Sequence, residues 1–130
     1  MVIHVRSGDK FLNNGQTDFN AQYIAQLTKE IFYTIKQKPN ASYLVLTDNT
    51  EIKHIIVKSF PSVKILFNKI THLGQGVVQQ DEPIKNTLLE FYLMSQAASI
   101  VSFSSYEHGS GFSQWCAKTY NIPYVCKLIT

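Results

Sequence analysis

The sequence has few cysteines and no long apolar run, and each shortage excludes a class of protein. Two cysteines, Cys116 and Cys126, form neither a C-x-x-C pair nor a zinc-ligand spacing. We expect both to be buried free thiols because their neighbours are apolar; a disulfide between them stays an alternative. No apolar stretch is long enough to cross a bilayer, so we expect no membrane span.

Charge is also scarce, at 16% of residues, and the net charge is +3. Lys53, Lys58, Lys64 and Lys69 are too widely spaced for a nucleic-acid stripe and are interpreted as a solvated face. We therefore expect no nucleic-acid partner. Neither H-x-x-H nor a pair of carboxylates at ligand spacing is present, so the sequence predicts no metal site and no cofactor.

Strand-like and helix-like patterns alternate along the chain. Continuous β-branched and apolar runs predict strands over 2–6, 43–47, 63–67, 99–104 and 123–127. Between them we predict a helix capped by Asp18, a short one capped by Asp48 or Asn49, one with Pro83 in its first turn, and one over 111–120. Segment 68–82 has no period and is predicted to be irregular.

The apolar spacing also predicts which side of each helix faces inward. For the first helix the inward residues are Tyr23, Ile24, Leu27, Ile31, Phe32 and Ile35; for the second, Ile52, Ile55 and Ile56; for the third, Ile84, Leu88, Phe91, Tyr92 and Ser95.

Strands separated by helices predict parallel pairing through right-handed crossovers. The fold class is therefore α/β: a single Rossmann-like domain over 1–130, with a doubly wound parallel sheet of about five strands in the order 3-2-1-4-5 and helices on both faces. In that order the chain reverses direction between the first and fourth strands. Ligands of such sheets bind beyond the strand ends at this switch point.

The only arginine, Arg6, stands at this point, at the end of the first strand. A guanidinium is a permanently charged planar fork that matches phosphate oxygens. His4 lies two residues earlier in the strand, so its side chain shares a face with that of Arg6. It is either a satisfied core histidine or a member of the site.

The loop after the fourth strand faces Arg6 in the predicted topology. It contains Ser104 and Ser105 and leads through glycines to a helix that begins near Gly111. Small residues and a helix N-terminus suit a diphosphate, although a plain loop explains them too. Glu90 interrupts the apolar sequence of the third predicted helix. Its side chain is either buried in the protein interior or exposed at the solvated edge of that helix. Asp48 either caps a helix or contacts a ribose or base.

Three segments, taken together, resemble motifs of the α1,6-fucosyltransferases and the related α1,2- and protein O-fucosyltransferases. Val2-Ile-His-Val-Arg-Ser-Gly-Asp-Lys10 is similar to their H-x-R-R-x-D-K segment. Leu44-Val-Leu-Thr-Asp-Asn49 is similar to their strand that ends in Thr/Ser-Asp-Asp. The segment from Leu88 to Ser105 is similar to their acidic helix followed by Leu-Ser-Gln-Ala and Phe-Ser-Ser.

The resemblance implies the C-terminal, donor-binding half of a metal-independent, inverting GT-B glycosyltransferase. Its donor would be a GDP-sugar such as GDP-fucose, its acceptor a glycan, and another chain or domain would complete the cleft. By motif position, Arg6, Ser104 and Ser105 would contact the β-phosphate, His4 and Glu90 the guanosine, and Asp9 and Lys10 the donor pocket, with Asp48 orienting the site. Arg6, Asp9 and Lys10 are the expected catalytic residues.

The chain departs from these motifs at three positions. Ser7 replaces the second arginine, Asn49 the second aspartate, and Glu90 an aspartate. The lower positive charge keeps an alternative open, in which the domain is a non-catalytic module that binds GDP or a glycan without transfer.

Overall fold

The computed structural model describes residues 1–6, 17–66 and 81–129, with backbone only for 17–20 and 81–83. Strands and helices alternate throughout these ranges. They are β1 (Val2–Arg6), α1 (Thr17–Gln37), β2 (Leu44–Thr47), α2 (Thr50–Ser59), β3 (Lys64–Ile65), α3 (Asp81–Ser95), β4 (Ile100–Ser104), α4 (Gly111–Tyr120) and β5 (Tyr124–Leu128).

The strands form one parallel sheet in the order β3-β2-β1-β4-β5, which confirms the predicted fold class and strand order. The central strand β1 pairs with β2 on one side and with β4 on the other. In this register Arg6 lies opposite Ser104 and His4 opposite Ser102. The end of β1 and the loop after β4 are therefore neighbours at the switch point.

Alternate residues of β1 enter two separate apolar layers. Ile3 and Val5 are fully buried with residues of α1 and α2, whereas Val2 packs with residues of α3 and α4. Burying one such aliphatic side chain contributes roughly 1.5–3 kcal/mol, so both layers stabilise the sheet. His4 and Arg6 share the face of Val2, which directs their side chains toward α3 and α4.

The predicted inward faces of the first two helices are confirmed. Tyr23, Ile24, Leu27, Ile31 and Ile35 of α1 and Ile52 and Ile56 of α2 are buried, and Phe32 and Ile55 pack against them. Asn49 caps α2, because its Oδ1 accepts a hydrogen bond of 3.0 Å from the Ile52 N–H. The predicted cap at Asp18 is wrong, since α1 begins at Thr17 and Asp18 lies inside the helix.

The burial predictions for α3 and for Cys126 are wrong. On α3, Leu88 and Tyr92 are 55% and 60% exposed, while Thr87, Glu90 and Met94 are buried. This helix covers the end of the sheet that carries His4 and Arg6, so polar residues on its inner face meet charged partners. Cys116 is buried and free as predicted, but the free Cys126 is exposed because β5 is the outermost strand.

None of the helices within residues 17–66 and 81–129 is long and apolar enough to cross a membrane.

Candidate functional site

A cleft of about 560 Å³ opens between α3 and α4 at the carboxyl end of β1. The described residues that line it are Arg6, Thr87, Leu88, Phe91, Gly111, Phe112 and Trp115. The volume falls in the usual range for small-molecule sites, and so does the combination of an aromatic wall with a few polar groups. The cleft lies at the switch point that the strand order predicts for a ligand.

Arg6 is held in this cleft by an aromatic ring. Its guanidinium carbon lies 5.2 Å from the centroid of Phe112, a cation–π arrangement. Phe112 also lies 5.8 Å from the ring of His4 and makes an edge contact with Phe91 at 5.4 Å. The ring therefore holds the guanidinium in the lining of the cleft.

The N-terminus of α4 reaches the same cleft at Gly111. Ser110 occupies the cap position in an extended conformation, but its side chain makes no capping hydrogen bond. The first amides of α4 thus keep their capacity to donate to an anion, and the helix dipole favours negative charge there. Together with Arg6, they form the kind of cradle that phosphate groups occupy.

A buried hydroxyl network holds this helix end against the sheet. Ser113 Oγ lies 3.3 Å from Ser102 Oγ on β4, 3.4 Å from the Ser110 carbonyl oxygen and 3.3 Å from the Tyr124 hydroxyl on β5. Because Ser113 and Ser102 are fully buried, the network fixes the height of the first turn of α4 above the strands.

The two serines at the carboxyl end of β4 point in different directions. Ser104 lies in register with Arg6 and is buried, and its Oγ accepts a hydrogen bond of 3.0 Å from the Tyr106 N–H. Ser105 lies beside the Tyr23 hydroxyl of α1, which packs on the opposite face of the sheet from α3 and α4. Of the two, Ser104 is the one that the structure brings next to Arg6.

His4 is buried behind the Phe112 wall, 2% exposed, and its Nδ1 has no hydrogen-bond partner among the described residues. Burial lowers the pKa of this imidazole and the Arg6 charge also lowers it, against an opposing effect of Asp48; the resulting pKa is about 3. His4 is therefore neutral at physiological pH. A buried polar atom without a partner is costly in an empty site and marks a position that a ligand can satisfy.

Glu90 is the second buried group with an unpaired atom. It is 3% exposed, and its Oε1 finds no hydrogen-bond partner in the part of the chain that the structure describes. Burial raises the pKa of Glu90 and the charge of Asp48 adds to this, although Lys53 and Arg6 favour the carboxylate; the resulting pKa is about 7. Of the two sequence interpretations, the buried position is thus the observed one.

Asp48 and Lys53 complete a charged cluster at this edge of the sheet. Asp48 follows β2 and is half-buried, where its charge acts on His4, Glu90 and Lys53. Lys53, in the first turns of α2, is 5% exposed, and burial lowers the pKa of its ammonium against the opposing charges of Glu90 and Asp48.

Lys53 was predicted to lie on a solvated face, and this prediction is wrong. The helix turns the lysine inward beside Ile52 because a carboxylate cluster lies there to receive its charge. The sequence contained a signal for the burial of Lys53. This residue follows the Asn49 cap by one helical turn, at the carboxyl edge of the sheet where the site residues were expected.

Asp9 and Lys10, the other two expected catalytic residues, lie outside the described residues, as do Ser7 and most of the segment 68–82. Among the described residues, no three or more His, Cys, Asp or Glu side chains come together as a metal site.

The chain matches no protein-family model and no curated protein. Its function must therefore be inferred from the geometry and chemistry of the cleft.

Gly109 provides the first testable prediction, because it shapes the loop before α4. It has a φ of 72°, and an added Cβ would lie 2.9 Å from Cys126 Sγ. We expect Gly109→Ala to destabilise the protein by about 2 kcal/mol, because alanine is unfavourable in the left-handed backbone conformation and its Cβ would be too close to Cys126 Sγ. Urea unfolding measures the change.

Gly111→Ala is the matched control, because a Cβ there meets nothing within 4 Å. Combining Gly109→Ala with Cys126→Ala should recover only the contact part of the loss. Equal stability of the two glycine variants would contradict the assignment of strain to Gly109.

Proposed function

We propose that this domain binds a GDP-sugar in the cleft between α3 and α4, as the donor-binding half of a fucosyltransferase-like glycosyltransferase. The observation that carries the proposal is the position of Arg6: it ends the central strand, lines an aromatic cleft at the switch point and faces the N-terminus of α4. Arginine and uncapped helix amides together suit a diphosphate.

The two ends of the ligand would meet different parts of the site. The diphosphate would lie between Arg6 and the amides that begin at Gly111. The nucleoside would lie along the apolar wall, where Phe112 and Trp115 offer ring faces, and its N–H donors would reach Glu90. An ionised carboxylate accepts two hydrogen bonds from the Watson–Crick edge of guanine, which favours that base.

In the transfer that we propose, an acceptor hydroxyl of a glycan attacks the anomeric carbon of the sugar from the side opposite GDP. The bond from that carbon to the β-phosphate oxygen breaks, and the configuration inverts. Negative charge develops on the departing GDP, and Arg6 with the α4 amides stabilises it. The hydroxyl proton passes to a base supplied with the acceptor-binding half. By motif position, Asp9 and Lys10 would line the sugar side of the pocket.

Ligand-induced stabilisation tests this proposal. At about a hundred times its Kd, GDP should add about 2.7 kcal/mol to the free energy of unfolding and raise Tm by several degrees, with or without magnesium. Thermal melts with GDP, GDP-fucose, ADP and EDTA measure this. No stabilisation by either guanine nucleotide at millimolar concentration would overturn the proposal.

Binding without transfer is the second candidate function, and Ser7 favours it because it lowers the positive charge near the diphosphate. The two functions separate in a transfer assay. GDP binding together with undetectable hydrolysis and transfer, over a range of glycan acceptors and with the acceptor-binding half supplied, would assign the domain as a non-catalytic module.

A further inference from the structure

Lys53 is a buried cation that the lining of the cleft leaves unexplained. It projects from α2 and is 5% exposed, and its charge acts on the buried carboxyl of Glu90, which belongs to α3. The two helices lie on opposite faces of the sheet, so this electrostatic effect reaches from one face to the other at the carboxyl edge. A buried lysine is costly unless its charge serves a partner.

Glu90 supplies the second, independent observation. Its Oε1 is buried and has no hydrogen-bond partner among the described residues, next to the helix turn that lines the cleft. The groups that act electrostatically on this carboxyl are Lys53 from α2, Arg6 from β1 and Asp48 after β2, with the neutral His4 nearby. Lys53 is the cation with the largest effect on it.

We propose that Lys53 is a positioning residue that favours the ionised form of Glu90, so that the carboxylate selects a ligand base with two adjacent N–H donors. The inference rests on the proposed function and deepens it by assigning the choice of base. An ionised Glu90 can only accept hydrogen bonds, as the N1–H and N2–H groups of guanine require. A protonated Glu90 donates one and accepts one, which matches N1 and N6–H of adenine.

Lys53→Met tests the inference through the pH profile of binding. Removing the cation raises the pKa of Glu90, and below this pKa each unit of increase should weaken GDP binding about tenfold. Calorimetry from about pH 6 to about pH 9 should show the largest loss at the acidic end and convergence with the wild type at the alkaline end. The preference for GDP over ADP should be smaller in Lys53→Met than in the wild type, and the difference should be largest at low pH.

Two matched variants separate this effect from general damage. Lys53→Arg keeps the charge and should keep the wild-type profile. Lys58→Met removes an exposed lysine from the last turn of the same helix and should change nothing. Should Lys53→Met fail to fold, the double variant Lys53→Met/Glu90→Gln removes both charges and should bind GDP weakly and equally at all pH values.

A direct titration distinguishes failure of the inference from failure of the proposed function. The carboxyl ¹³C shift of Glu90, followed by NMR without ligand, should titrate at a higher pH in Lys53→Met than in the wild type. An unchanged titration, or a loss of GDP affinity that is equal at every pH, would overturn the role of Lys53. If Glu90 titrates at a higher pH in Lys53→Met, as expected, but the protein binds no GDP, then the base selection and the proposed function are overturned. The electrostatic effect of Lys53 on Glu90 would remain supported.

Discussion

Arg6→Ala is expected to weaken GDP binding about a hundredfold and to remove most of the thermal stabilisation by GDP. The substitution removes a permanent charge and a pair of donors, and charge-assisted hydrogen bonds of this kind contribute about 1.5–3 kcal/mol each. A loss of about 2.8 kcal/mol corresponds to two orders of magnitude in Kd. Calorimetry with GDP measures this directly.

Arg6→Lys separates charge from geometry. Lysine keeps the charge but loses the fork and most of the contact over Phe112, so we expect about a tenfold loss. Lys58→Ala removes one positive charge from the exposed last turn of α2 and controls for net charge. A Kd of Arg6→Ala within about twofold of the wild type would place the phosphates elsewhere.

Glu90→Gln is expected to change how stability depends on pH. The native carboxyl has a pKa of about 7, against an ordinary value of 4.5. Between these values the native state holds more protons than the unfolded state, so the Glu90 contribution to stability falls as pH rises, by about 3 kcal/mol in total. Because an amide does not titrate, the variant should gain roughly this amount over the wild type between about pH 4.5 and pH 7.5.

Urea unfolding across that pH range measures the difference between variant and wild type. His4 acts in the opposite direction: its native pKa of about 3 makes stability fall as pH drops below its ordinary value of 6.5. This contribution is common to both proteins and largely cancels in the difference. Glu51→Gln, at an exposed glutamate in the first turn of α2, is the control for the loss of a carboxylate at the surface. A flat line for Glu90→Gln would contradict the buried carboxyl.

The same substitution should weaken GDP binding, because the amide presents N–H groups where the ligand presents its own. Glu90→Gln would then increase the stability of the protein and decrease its affinity for GDP. A buried charge that destabilises the empty protein, and that a ligand base can satisfy, is the pattern expected of a functional group.

The strand order and the place of the cleft could be predicted because they follow from local patterns. Parallel strands joined by helices leave few topologies, and Arg6 at the end of the first strand then falls at the switch point. The prediction of which residues form the inner face of α3 was wrong. Apolar periodicity selected Leu88 and Tyr92, because the rule assumes an apolar interior, and here the interior at that end contains charges.

The prediction that Lys53 is exposed was wrong for the same reason, because a charged residue was expected outside and here it lies inside. The apolar stripe of α2 is fully accounted for by Ile52, Ile55 and Ile56, so nothing local requires a fourth inward residue. Glu90, whose charge favours the ammonium of the buried lysine, is distant in sequence and comes near it only after the sheet has formed. Exposure of Cys126 follows from the position of β5 at the edge, which the predicted strand order implied but the apolar neighbours of Cys126 do not indicate.

The alternation along β1 has a consequence for how this protein can diverge. Ile3 and Val5 pack with one helical layer, whereas His4 and Arg6 both contact Phe112 of the other layer. The side chains of His4 and Arg6 can therefore vary without repacking the α1 and α2 layer, which gives one five-residue strand two separately adaptable sides.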